Sequence, residues 1–307
     1  MNKKIAVLVA THNSEKYITQ QLDSLLSQSF RDNLSIVISD DASSDSTLSI
    51  INGYLKKYPF ISVLKSEAPL KSPQANFWFL LKNAPACDYY MFCDHDDVWL
   101  NDKIEKTFLM MQEIEDNKPA LIHSDLFVVD SNLNKISDSM FASQGLNKNP
   151  DLKNALIQSS VTGCTMMINN ALRELAIKKE TTENMIMHDW YLTVLCLAVG
   201  NVGFVNESLI LYRQHGNNQV GAKNTKSVKY LFNKALQLKK NKESIKNTYL
   251  QAKDIFEIFN DGSDNFKLID SFAQNLNKNK LQRICSAFKF GFWKNSFIRR
   301  LGQLFFM

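Results

Sequence analysis

Apolar runs alternate with helical patterns through the first half of the chain. Four of these runs have the length and composition of β-strands, at Lys4–Ala10, Leu34–Ser39, Ile61–Lys65 and Tyr89–Cys93. Other segments place apolar residues on one helix face, at Ser14–Gln28 with Ser14 as N-cap, Asp45–Tyr58, Gln74–Asn83 and Lys103–Glu115. Such alternation is typical of a sheet covered by helices. We therefore expect an α/β fold with a mostly parallel central sheet flanked by helices.

The pattern changes in the second half. Residues 131–150 show little periodicity, and we expect a mobile loop there. The later elements that we expect are strands at Val161–Ile168, Asn201–Asn206 and Ser208–Arg213 and a helix at Asp189–Val199. After about residue 223 the chain is rich in Lys and Asn and helical in character. We therefore predict an α/β domain at residues 1–222 and a basic helical region at residues 223–307.

Polar side chains follow several of the predicted strands at the point where each strand ends. These segments are Thr11-His12-Asn13, Asp40-Asp41, Asp94–Asp97 and, after Ala120–Ile122, His123–Asp125. In doubly wound sheets, ligands bind beyond the carboxyl ends of the strands. The sequence therefore predicts a ligand site to which these segments contribute.

Three carboxylates are concentrated in Asp94-His95-Asp96-Asp97, directly after an apolar strand and before Val98-Trp99-Leu100. Carboxylates a few ångströms apart raise one another's pKa, and a hard divalent ion offsets the repulsion because it prefers oxygen ligands. A solvated acidic turn is the alternative interpretation. The apolar strand before the segment and the Trp after it favour a cation site.

The cysteines and the start of the chain indicate a reducing compartment. The five cysteines show no CxxC spacing, and Cys87, Cys93, Cys164 and Cys196 lie in or beside apolar runs, as reduced buried thiols do. The apolar stretch after Met1 is too short for a signal peptide. No segment has the roughly 18 uninterrupted apolar residues of a membrane span. We expect a cytoplasmic protein.

The net charge of +5 hides an asymmetry. Residues 223–307 contain 17 Lys and Arg against 6 Asp and Glu, whereas residues 1–222 contain 19 against 25. The acidic front part has no pattern of basic and aromatic residues for base stacking, which argues against a nucleic-acid partner. The basic tail is suited to RNA, to anionic lipid or to water.

Six motifs occur along the chain in a fixed order: Val7-Leu-Val-Ala-Thr-His-Asn13, Ile38-Ser-Asp-Asp-Ala-Ser-Ser-Asp45-Ser-Thr47, Asp94-His-Asp-Asp-Val-Trp99 with Asp102-Lys103, Thr162-Gly163, His188-Asp189-Trp190 and Leu211-Tyr-Arg-Gln-His-Gly-Asn-Asn218. Together they resemble the motifs of the family 2 glycosyltransferases of the GT-A fold, and among them the bacterial rhamnosyltransferase-like group. The resemblance spans about residues 4–222. It implies a GT-A nucleotide-diphospho-sugar transferase fold with a C-terminal helical appendix.

The resemblance implies a Mg²⁺ or Mn²⁺ ion that bridges the phosphates of a nucleotide-sugar donor. Asp96 is the expected direct ligand, Asp94 contacts the ribose or the metal, and Asp97 supports them. His95 fills the variable position of the DxD motif and lines the pocket, since a hard cation favours oxygen. His215 resembles a histidine that reaches back to the metal or the diphosphate, although a lone histidine is usually structural.

Further residues of the resemblance belong to the donor pocket. By the resemblance, Asp41 hydrogen-bonds a uracil or thymine ring, a task that Asp40 is able to share, and Thr11 and Asn13 line the same pocket. A capping acidic turn before a helix is the alternative for the two aspartates, and a turn at a strand end is the alternative for Thr11 and Asn13. The donor-binding set also includes Gly163, Trp190 and Arg213, with Arg213 beside the phosphate-compatible donors Gln214 and Asn217.

An inverting transfer needs a general base that takes the proton of the acceptor hydroxyl. The resemblance assigns this role to Asp189, at the start of a helix whose dipole favours an ionised carboxylate. Its alternative role is that of an N-cap. Trp190 is alternatively a core residue, and His188 a structural imidazole.

Residues 281–307 interleave aromatic and aliphatic side chains with five basic ones. This composition suits a helix at an anionic membrane surface. Packing onto the catalytic domain or onto a second subunit is the alternative, and the sequence does not predict an oligomeric state.

The sequence therefore predicts a metal-dependent inverting glycosyltransferase that uses a dTDP- or UDP-sugar, with rhamnose as one candidate sugar. The expected acceptor is a saccharide or a lipid-linked oligosaccharide in the synthesis of a cell-surface polysaccharide. Two alternatives are a nucleotidyltransferase, which would need a Gly-rich phosphate loop that the first strand lacks, and a non-catalytic sugar-nucleotide-binding subunit of an assembly complex.

Overall fold

Strands form one mixed β-sheet in this computed structural model, which describes residues 3–30, 33–114, 117–215 and 238–307. The strands are β1 Ile5–Thr11, β2 Leu34–Asp40, β3 Ile61–Leu64, β4 Tyr89–Asp94, β5 Val98–Trp99, β6 Ala120–Val129, β7 Lys135–Ser137, β8 Met167–Asn169 and β9 Asn201–Arg213. Their order is β3-β2-β1-β4-β8-β6-β9-β5, and β7 pairs with β6. The pairs that β1 and β2 make are parallel, as is β6 with β9, whereas β5, β7 and β8 are antiparallel to their neighbours.

Helices cover both faces of this sheet, which confirms the predicted α/β architecture. They are α1 Ile18–Leu26, α2 Thr47–Leu55, α3 Pro73–Asn83, α4 Lys103–Gln112, α5 Met140–Gln144, α6 Leu152–Ile157, α7 Asn170–Ala176, α8 His188–Val199, α9 Leu238–Phe259, α10 Asp264–Ala273, α11 Lys280–Phe290 and α12 Phe297–Phe306. Among the described residues, no helix combines the length and the apolar character that crossing a membrane requires.

The central strand β1 shows why the sheet has two cores. All seven of its residues are buried. Side chains alternate between the faces of a strand, so Ala6 and Leu8 pack into one cluster with α3 and α8, whereas Ile5 and Val7 pack into another with α1 and α4. A strand that is buried on both faces has a continuous apolar sequence, as β1 does.

The C-terminal helices complete one of these two cores. Buried side chains of α9 and α10, among them Tyr249, Ile255 and Phe266, belong to the same cluster as Tyr191 and Leu195 of α8. Lys179 adds a buried ion pair to Asp254 of α9 at 2.7 Å. The predicted boundary near residue 222 lies outside the described residues.

Two predicted segments near the middle of the chain were wrong. His123–Asp125 lies inside β6 and not beyond its end, because β6 pairs with β9 over its whole length, from Ala120 opposite Asn201 to Val129 opposite Arg213. The predicted strand at Val161–Ile168 is instead a 3-10 turn at Gly163–Thr165 followed by the short β8. The carbonyl oxygen of Thr162 closes this turn by accepting from the backbone N–H and the hydroxyl of Thr165.

The predicted loop at residues 131–150 contains β7 and α5. Asp125, which is 4% exposed, anchors this segment because its carboxylate accepts from the Ser139 hydroxyl and from the backbone N–H of Met140 at 3.0 Å. The two strands predicted after residue 200 are one strand, β9, whose register with β6 shifts opposite Ser124 and Asp125.

The predicted cap of the first helix was also wrong. Helix α1 begins at Ile18 with Tyr17 as its N-cap. Ser14 is tied into the preceding loop instead, since its backbone N–H donates to Thr47 Oγ1 at 2.6 Å and its hydroxyl accepts from the backbone N–H of His12.

Candidate active site

The carboxyl ends of β1, β2 and β4 bring three of the polar segments together. In the parallel registers, Thr11 lies opposite Asp40 and Ala10 lies opposite Asp94. This edge of the sheet is where ligands bind in doubly wound folds. The structure therefore places the predicted residues Thr11, Asp40 and Asp94, at the ends of these three strands, along one edge of the sheet.

Asp40 and Asn13 organise the loops after β1 and β2. Asp40 accepts from the Thr11 hydroxyl at 2.8 Å and from the hydroxyl and backbone N–H of Ser43 at 2.6 and 2.9 Å. Asn13, in the left-handed region with φ of 47°, accepts at Oδ1 from the backbone N–H of Ser44 at 2.9 Å. Asp40, Thr11 and Asn13 are therefore bound to the loops themselves.

Asp41 follows the last residue of β2 and is 9% exposed. Its Oδ1 accepts from the backbone N–H of Leu70 at 2.6 Å, and its backbone N–H donates to the carbonyl oxygen of Thr11 at 2.9 Å. His12 Nδ1 lies 2.7 Å from the carbonyl oxygen of Asp41. The backbone and one carboxylate oxygen of Asp41 therefore fix the direction of its side chain.

The acidic segment Asp94–Asp97 holds several carboxylates in a small, buried volume. Asp97 is completely buried and Asp96 is 9% exposed. Burial, together with the negative charges of neighbouring aspartates, raises the pKa of Asp94 and of Asp97. The charges that act on Asp94 are those of Asp96 and of Asp189. Asp189 and the acidic segment therefore share one electrostatic environment, although more than ninety residues of chain separate them.

Arg213, at the end of β9, fixes the acidic segment to the scaffold. Its Nε donates to the carbonyl oxygen of Asp96 at 2.7 Å, and its backbone N–H donates to Asp97 Oδ1 at 3.0 Å. The other guanidinium nitrogens donate to the carbonyl oxygen of Ser131 at 2.7 Å and to Gln20 Oε1 at 2.6 Å. Because the side chain is only 2% exposed, the geometry favours a positioning role for Arg213 over direct contact with a phosphate.

His215 reaches the acidic segment from the same strand end. Its Nε2 lies 2.7 Å from Asp96 Oδ2, and its ring centre lies 5.2 Å from that of Tyr17. Tyr17 also packs under the guanidinium of Arg213, at 4.5 Å from its ring centre. The structure thus brings the predicted pair Asp96 and His215 together. Residues 216–218 of the same motif, including Asn217, lie outside the described residues.

Asp189 lies in the first turn of α8, where Met187 and not Asp189 is the N-cap. Its Oδ2 accepts from the backbone N–H of Gly163 at 2.9 Å, and its Oδ1 accepts from the backbone N–H of Trp190 at 2.6 Å. Burial raises the pKa of Asp189 to about 6 in spite of these two hydrogen bonds. Desolvation therefore outweighs the hydrogen bonds that favour the ionised carboxylate.

Close packing around Asp189 requires a glycine at position 163. A Cβ atom on Gly163 would lie 2.7 Å from Nε2 of His188. The His188 ring lies between Phe77 and Phe92, with ring centres at 4.3 and 4.8 Å. Burial lowers the pKa of His188 to about 3, so the imidazole is neutral at pH 7 and packs as part of the core beneath the site.

Trp190 and His95 each have one ring nitrogen bound to the scaffold. Trp190 Nε1 donates to the carbonyl oxygen of Ala155 at 2.6 Å, which ties α8 to α6. His95 Nδ1 lies 3.3 Å from the carbonyl oxygen of Ala10. Both side chains are half-buried, so part of each surface stays open at the edge of the sheet.

Sequence reasoning did not assign Lys103 or Cys164 to the site. Lys103 is completely buried, its Nζ lies 3.8 Å from the centre of the Trp99 ring, and burial lowers its pKa to about 7. Lys103 belongs to one of the motifs and Cys164 follows the motif residue Gly163, but only the structure shows that both side chains are completely buried. Gln20 and Ser131 were missed because they act only through Arg213.

The acidic segment has a donor set that fits a divalent cation. Oxygen atoms of Asp94 and Asp97 and the sulfur of Cys164 lie within 4.8 Å of one another. Mg²⁺ and Mn²⁺ suit the carboxylates better than the sulfur, and burial raises the pKa of the Cys164 thiol well above its usual value. The predicted ligands Asp96 and His215 do not belong to this group of three, and they contact each other at 2.7 Å.

Asp94→Asn is expected to raise the melting temperature of the metal-free protein at neutral pH, because burial and the repulsion from Asp96 raise the pKa of Asp94 to about 8 and the amide avoids the cost of ionising or protonating that carboxylate in the folded state. One pKa unit corresponds to about 1.4 kcal/mol, so we expect at least about 1 kcal/mol of stabilisation. The variant should also respond less to Mn²⁺. Differential scanning fluorimetry in EDTA and in MnCl₂ measures both effects. Asp138→Asn, at a side chain that is 82% exposed, is the control. A lower melting temperature of Asp94→Asn in EDTA would contradict the repulsion.

Proteins of known family resemble this chain in sequence. The family model described as Glycosyl transferase family 2 matches residues 6–175. The dTDP-rhamnosyl transferase RfbG of Shigella flexneri is 29% identical over 296 residues, which cover 93% of this chain and 93% of RfbG. The poly(ribitol-phosphate) beta-glucosyltransferase of Bacillus spizizenii is 36% identical over 95 residues, which cover 31% of this chain and 15% of that enzyme.

Solved structures confirm the predicted GT-A fold. S. aureus TarS 1-349 in complex with UDP-GlcNAc superposes with a TM-score of 0.61 at 19% identity, over 94% of this chain and 73% of that one. The mannosyltransferase PcManGT from Pyrobaculum calidifontis in complex with GDP-Man and Mn²⁺ superposes with a TM-score of 0.59 at 13% identity, over 94% and 74%.

Proposed function

The chain belongs to glycosyl transferase family 2 and is a glycosyltransferase, and from this premise we propose that it is a metal-dependent, inverting enzyme. It transfers a sugar from a dTDP- or UDP-sugar to a hydroxyl group of a saccharide or a lipid-linked oligosaccharide in cell-surface polysaccharide synthesis. Rhamnose is the sugar that we favour, because RfbG, which aligns with 93% of the chain, is a dTDP-rhamnosyl transferase. The family match disfavours the two alternatives, a nucleotidyltransferase and a non-catalytic subunit.

One observation carries this proposal: Asp189 lies beside the acidic segment. Its Oδ2 accepts from the backbone N–H of Gly163 at 2.9 Å, and the sulfur of the next residue, Cys164, lies within 4.8 Å of carboxylate oxygens of Asp94 and Asp97. A transferase must hold the diphosphate of its donor close to the base that activates its acceptor. A half-buried carboxylate whose pKa is raised to about 6, beside a separate group of carboxylates suited to a cation, provides these two functions within one site.

Asp189 is the general base in this proposal. Its carboxylate accepts the proton of the acceptor hydroxyl as that oxygen forms a bond to the anomeric carbon of the donor. The bond between the anomeric carbon and the diphosphate oxygen breaks on the opposite face, and its electron pair leaves with the diphosphate. The hydrogen bonds from Gly163 and Trp190 hold the carboxylate in a fixed direction while the proton moves.

The acidic segment would hold a divalent cation against the donor diphosphate. Asp94, Asp96 and His215 are the ligands that we propose, with Asp97 in support. A bound Mg²⁺ or Mn²⁺ would stabilise the negative charge that the leaving diphosphate develops. In this proposal the carboxylates of this segment supply the negative charge that would hold the cation in place, and they transfer no proton.

The loops after β1 and β2 bind the nucleoside. We assign the base contact to Asp41, whose carboxylate is oriented by Leu70, and we assign to Asp40 the support of the turn. A carboxylate accepts a hydrogen bond from the ring N–H of uracil or thymine. Thr11 and Asn13 line the pocket, and His95, Gly163 and Trp190 border the sugar.

Donor-induced stabilisation tests this function. With Mn²⁺ present, we expect dTDP-rhamnose or a UDP-sugar to raise the melting temperature and GDP-sugars to leave it unchanged. Ligand at a hundred times its Kd stabilises by about 2.7 kcal/mol, which is a shift of several degrees. Asp41→Asn should abolish the shift, whereas Asp138→Asn should retain it. Stabilisation by GDP-sugars alone would remove the assignment of Asp41.

We further propose that the enzyme works in the cytoplasm, at the inner face of the membrane when its acceptor is lipid-linked. The five cysteines are all free, and three of them are completely buried. Free buried thiols are typical of proteins in a reducing compartment. Fractionation of cells that produce the full chain, followed by detection of the protein in soluble and membrane fractions, checks this location.

A further inference from the structure

The last two helices, α11 and α12, expose large apolar side chains that the fold does not use. Six of them are between 44% and 75% exposed. We call these six side chains the C-terminal face, and they are Leu281, Phe288, Phe297, Ile298, Leu301 and Phe305. Single exposed apolar residues are common on soluble proteins, but a group of this size marks an interaction surface.

The arrangement along α12 shows that this exposure is one-sided. Residues four and eight positions apart share a helix face, so Phe297, Leu301 and Phe305 lie in one row, with Ile298 beside it. Gln303 and Phe306, nearly opposite this row, are buried. Helix α12 therefore packs onto the protein with one side and presents an apolar row on the other.

The two helices present their apolar sides together. At one end, Lys280 Nζ of α11 donates to the carbonyl oxygen of Phe305 of α12 at 3.1 Å and lies 5.6 Å from the Phe305 ring centre. At the other end, the Phe288 ring lies 4.9 Å from that of Trp293, which precedes α12. The start of α11 thus meets the end of α12, and the C-terminal face extends over both helices.

The charges within α11, α12 and the segment between them all have the same sign. Residues 280–307 contain six Lys and Arg and no Asp or Glu. The basic residues are Lys280, Arg283, Lys289, Lys294, Arg299 and Arg300. A row of apolar side chains whose own helices carry only cations is complementary to a bilayer whose headgroups are anionic.

The same charges disfavour other occupants of the face. A second copy of the chain would bring cations against cations across a two-fold axis. Residues 216–237 contain four Lys and no Asp or Glu, so they too would be repelled. Like charges in close contact oppose association.

We propose that the C-terminal face is a docking surface for an anionic lipid bilayer. Helices α11 and α12 lie in the plane of the interface, with the six apolar side chains among the acyl chains and the cations at the headgroups. The remaining sheet and helices stay in water. This surface goes beyond the transfer reaction proposed above, and it does not depend on that reaction, because vesicle binding requires neither donor nor acceptor.

Co-sedimentation of the full chain with vesicles tests the proposal. We expect binding to phosphatidylcholine vesicles that contain roughly one-third phosphatidylglycerol, no binding to pure phosphatidylcholine, and weaker binding at high salt. Replacing the exposed row with serine, as Phe297→Ser, Leu301→Ser and Phe305→Ser together, should lower the partition coefficient at least tenfold. The charge variant Lys289→Gln with Arg300→Gln should lower it about tenfold or more.

Matched variants separate this surface from general effects of composition. The apolar control combines Leu48→Ser, Leu109→Ser and Ile136→Ser, three exposed side chains outside the C-terminal face. The charge control combines Lys56→Gln with Lys57→Gln, two exposed lysines directly after α2. Both controls should bind vesicles as the unmodified chain does.

Three outcomes would overturn the proposal: no vesicle binding, equal binding to neutral vesicles, or an unchanged partition coefficient in the serine variant. Circular dichroism and melting temperature verify that each variant is folded. Light scattering after size exclusion addresses the competing occupant. A dimer of the unmodified chain that becomes a monomer in the serine variant, without vesicle binding by either, would assign the face to a second copy.

Discussion

Asp189→Asn is expected to lower kcat for sugar transfer by about 10²–10⁴-fold, because the amide cannot take the proton of the acceptor hydroxyl. Donor affinity should change by no more than about twofold, since the proposed donor contacts lie on the acidic segment and on the loops after β1 and β2. Initial rates at saturating donor and acceptor give kcat, and donor-induced thermal stabilisation reports affinity.

The control for this variant has to allow for the hydrogen bonds that the Asp189 carboxylate accepts. An amide keeps one acceptor oxygen, so one of the two hydrogen bonds from Gly163 and Trp190 is lost, at about 1 kcal/mol of stability. Asp264→Asn makes the same isosteric change in the first turn of α10, at an exposed carboxylate, and should retain full activity. An unaltered kcat in Asp189→Asn would remove Asp189 from the mechanism.

The pH profile of the unmodified enzyme gives a second test of the same role. The base works only when its carboxylate is ionised, and burial raises the pKa of Asp189 to about 6. The rate should therefore fall as the pH drops below about 6, whereas a surface aspartate with a pKa near 4 would produce no loss until well below that pH. Rates between pH 5 and pH 8, with donor binding measured in parallel, separate protonation of the base from loss of the donor.

The sequence predicted the parts of the site that depend on strand ends. Thr11, Asp40 and Asp94 meet because they follow three neighbouring parallel strands, and the alternation of apolar runs and helices predicts such strands. The family resemblance added Asp189 and His215, whose motifs have no periodic signal of their own. The position of these polar segments along the chain was sufficient to predict that their side chains gather at one edge of the sheet.

The roles that depend on tertiary partners were not accessible from the sequence. Arg213 resembled a phosphate ligand, but its guanidinium bonds to Gln20, which lies 193 residues earlier. The dipole of α8 suggested an ionised carboxylate at Asp189, but desolvation sets the direction of its pKa shift. His123 resembled a strand-end residue because the pairing of β6 with β9 is not encoded locally. In each case the deciding contact joins distant parts of the chain.

Arg213→Lys is expected to weaken Mn²⁺ and donor binding by about 10- to 100-fold, the range found when an outer partner of a metal ligand is lost. Lysine keeps the charge, but it lacks the planar fork that donates to Asp96, Ser131 and Gln20 at once. The acidic segment should then lose its fixed position, although the backbone hydrogen bond to Asp97 remains. Titration calorimetry with Mn²⁺ and a donor nucleotide measures the effect.

Arg173→Lys is the matched control, because it separates a loss of protein stability from a change in the position of the acidic segment. Arg173 is also buried, and its guanidinium donates to the carbonyl oxygens of Leu81, Lys82 and Ala84, between 2.9 and 3.2 Å away and outside the proposed site. Both variants should lose about 1–3 kcal/mol of stability, as buried hydrogen-bond partners are left unpaired. Only Arg213→Lys should also lose affinity for Mn²⁺ and the donor. Equal affinities of the two variants for Mn²⁺ and the donor would show that Arg213 contributes only to the stability of the fold. The acidic segment would then keep its geometry without the Arg213 guanidinium.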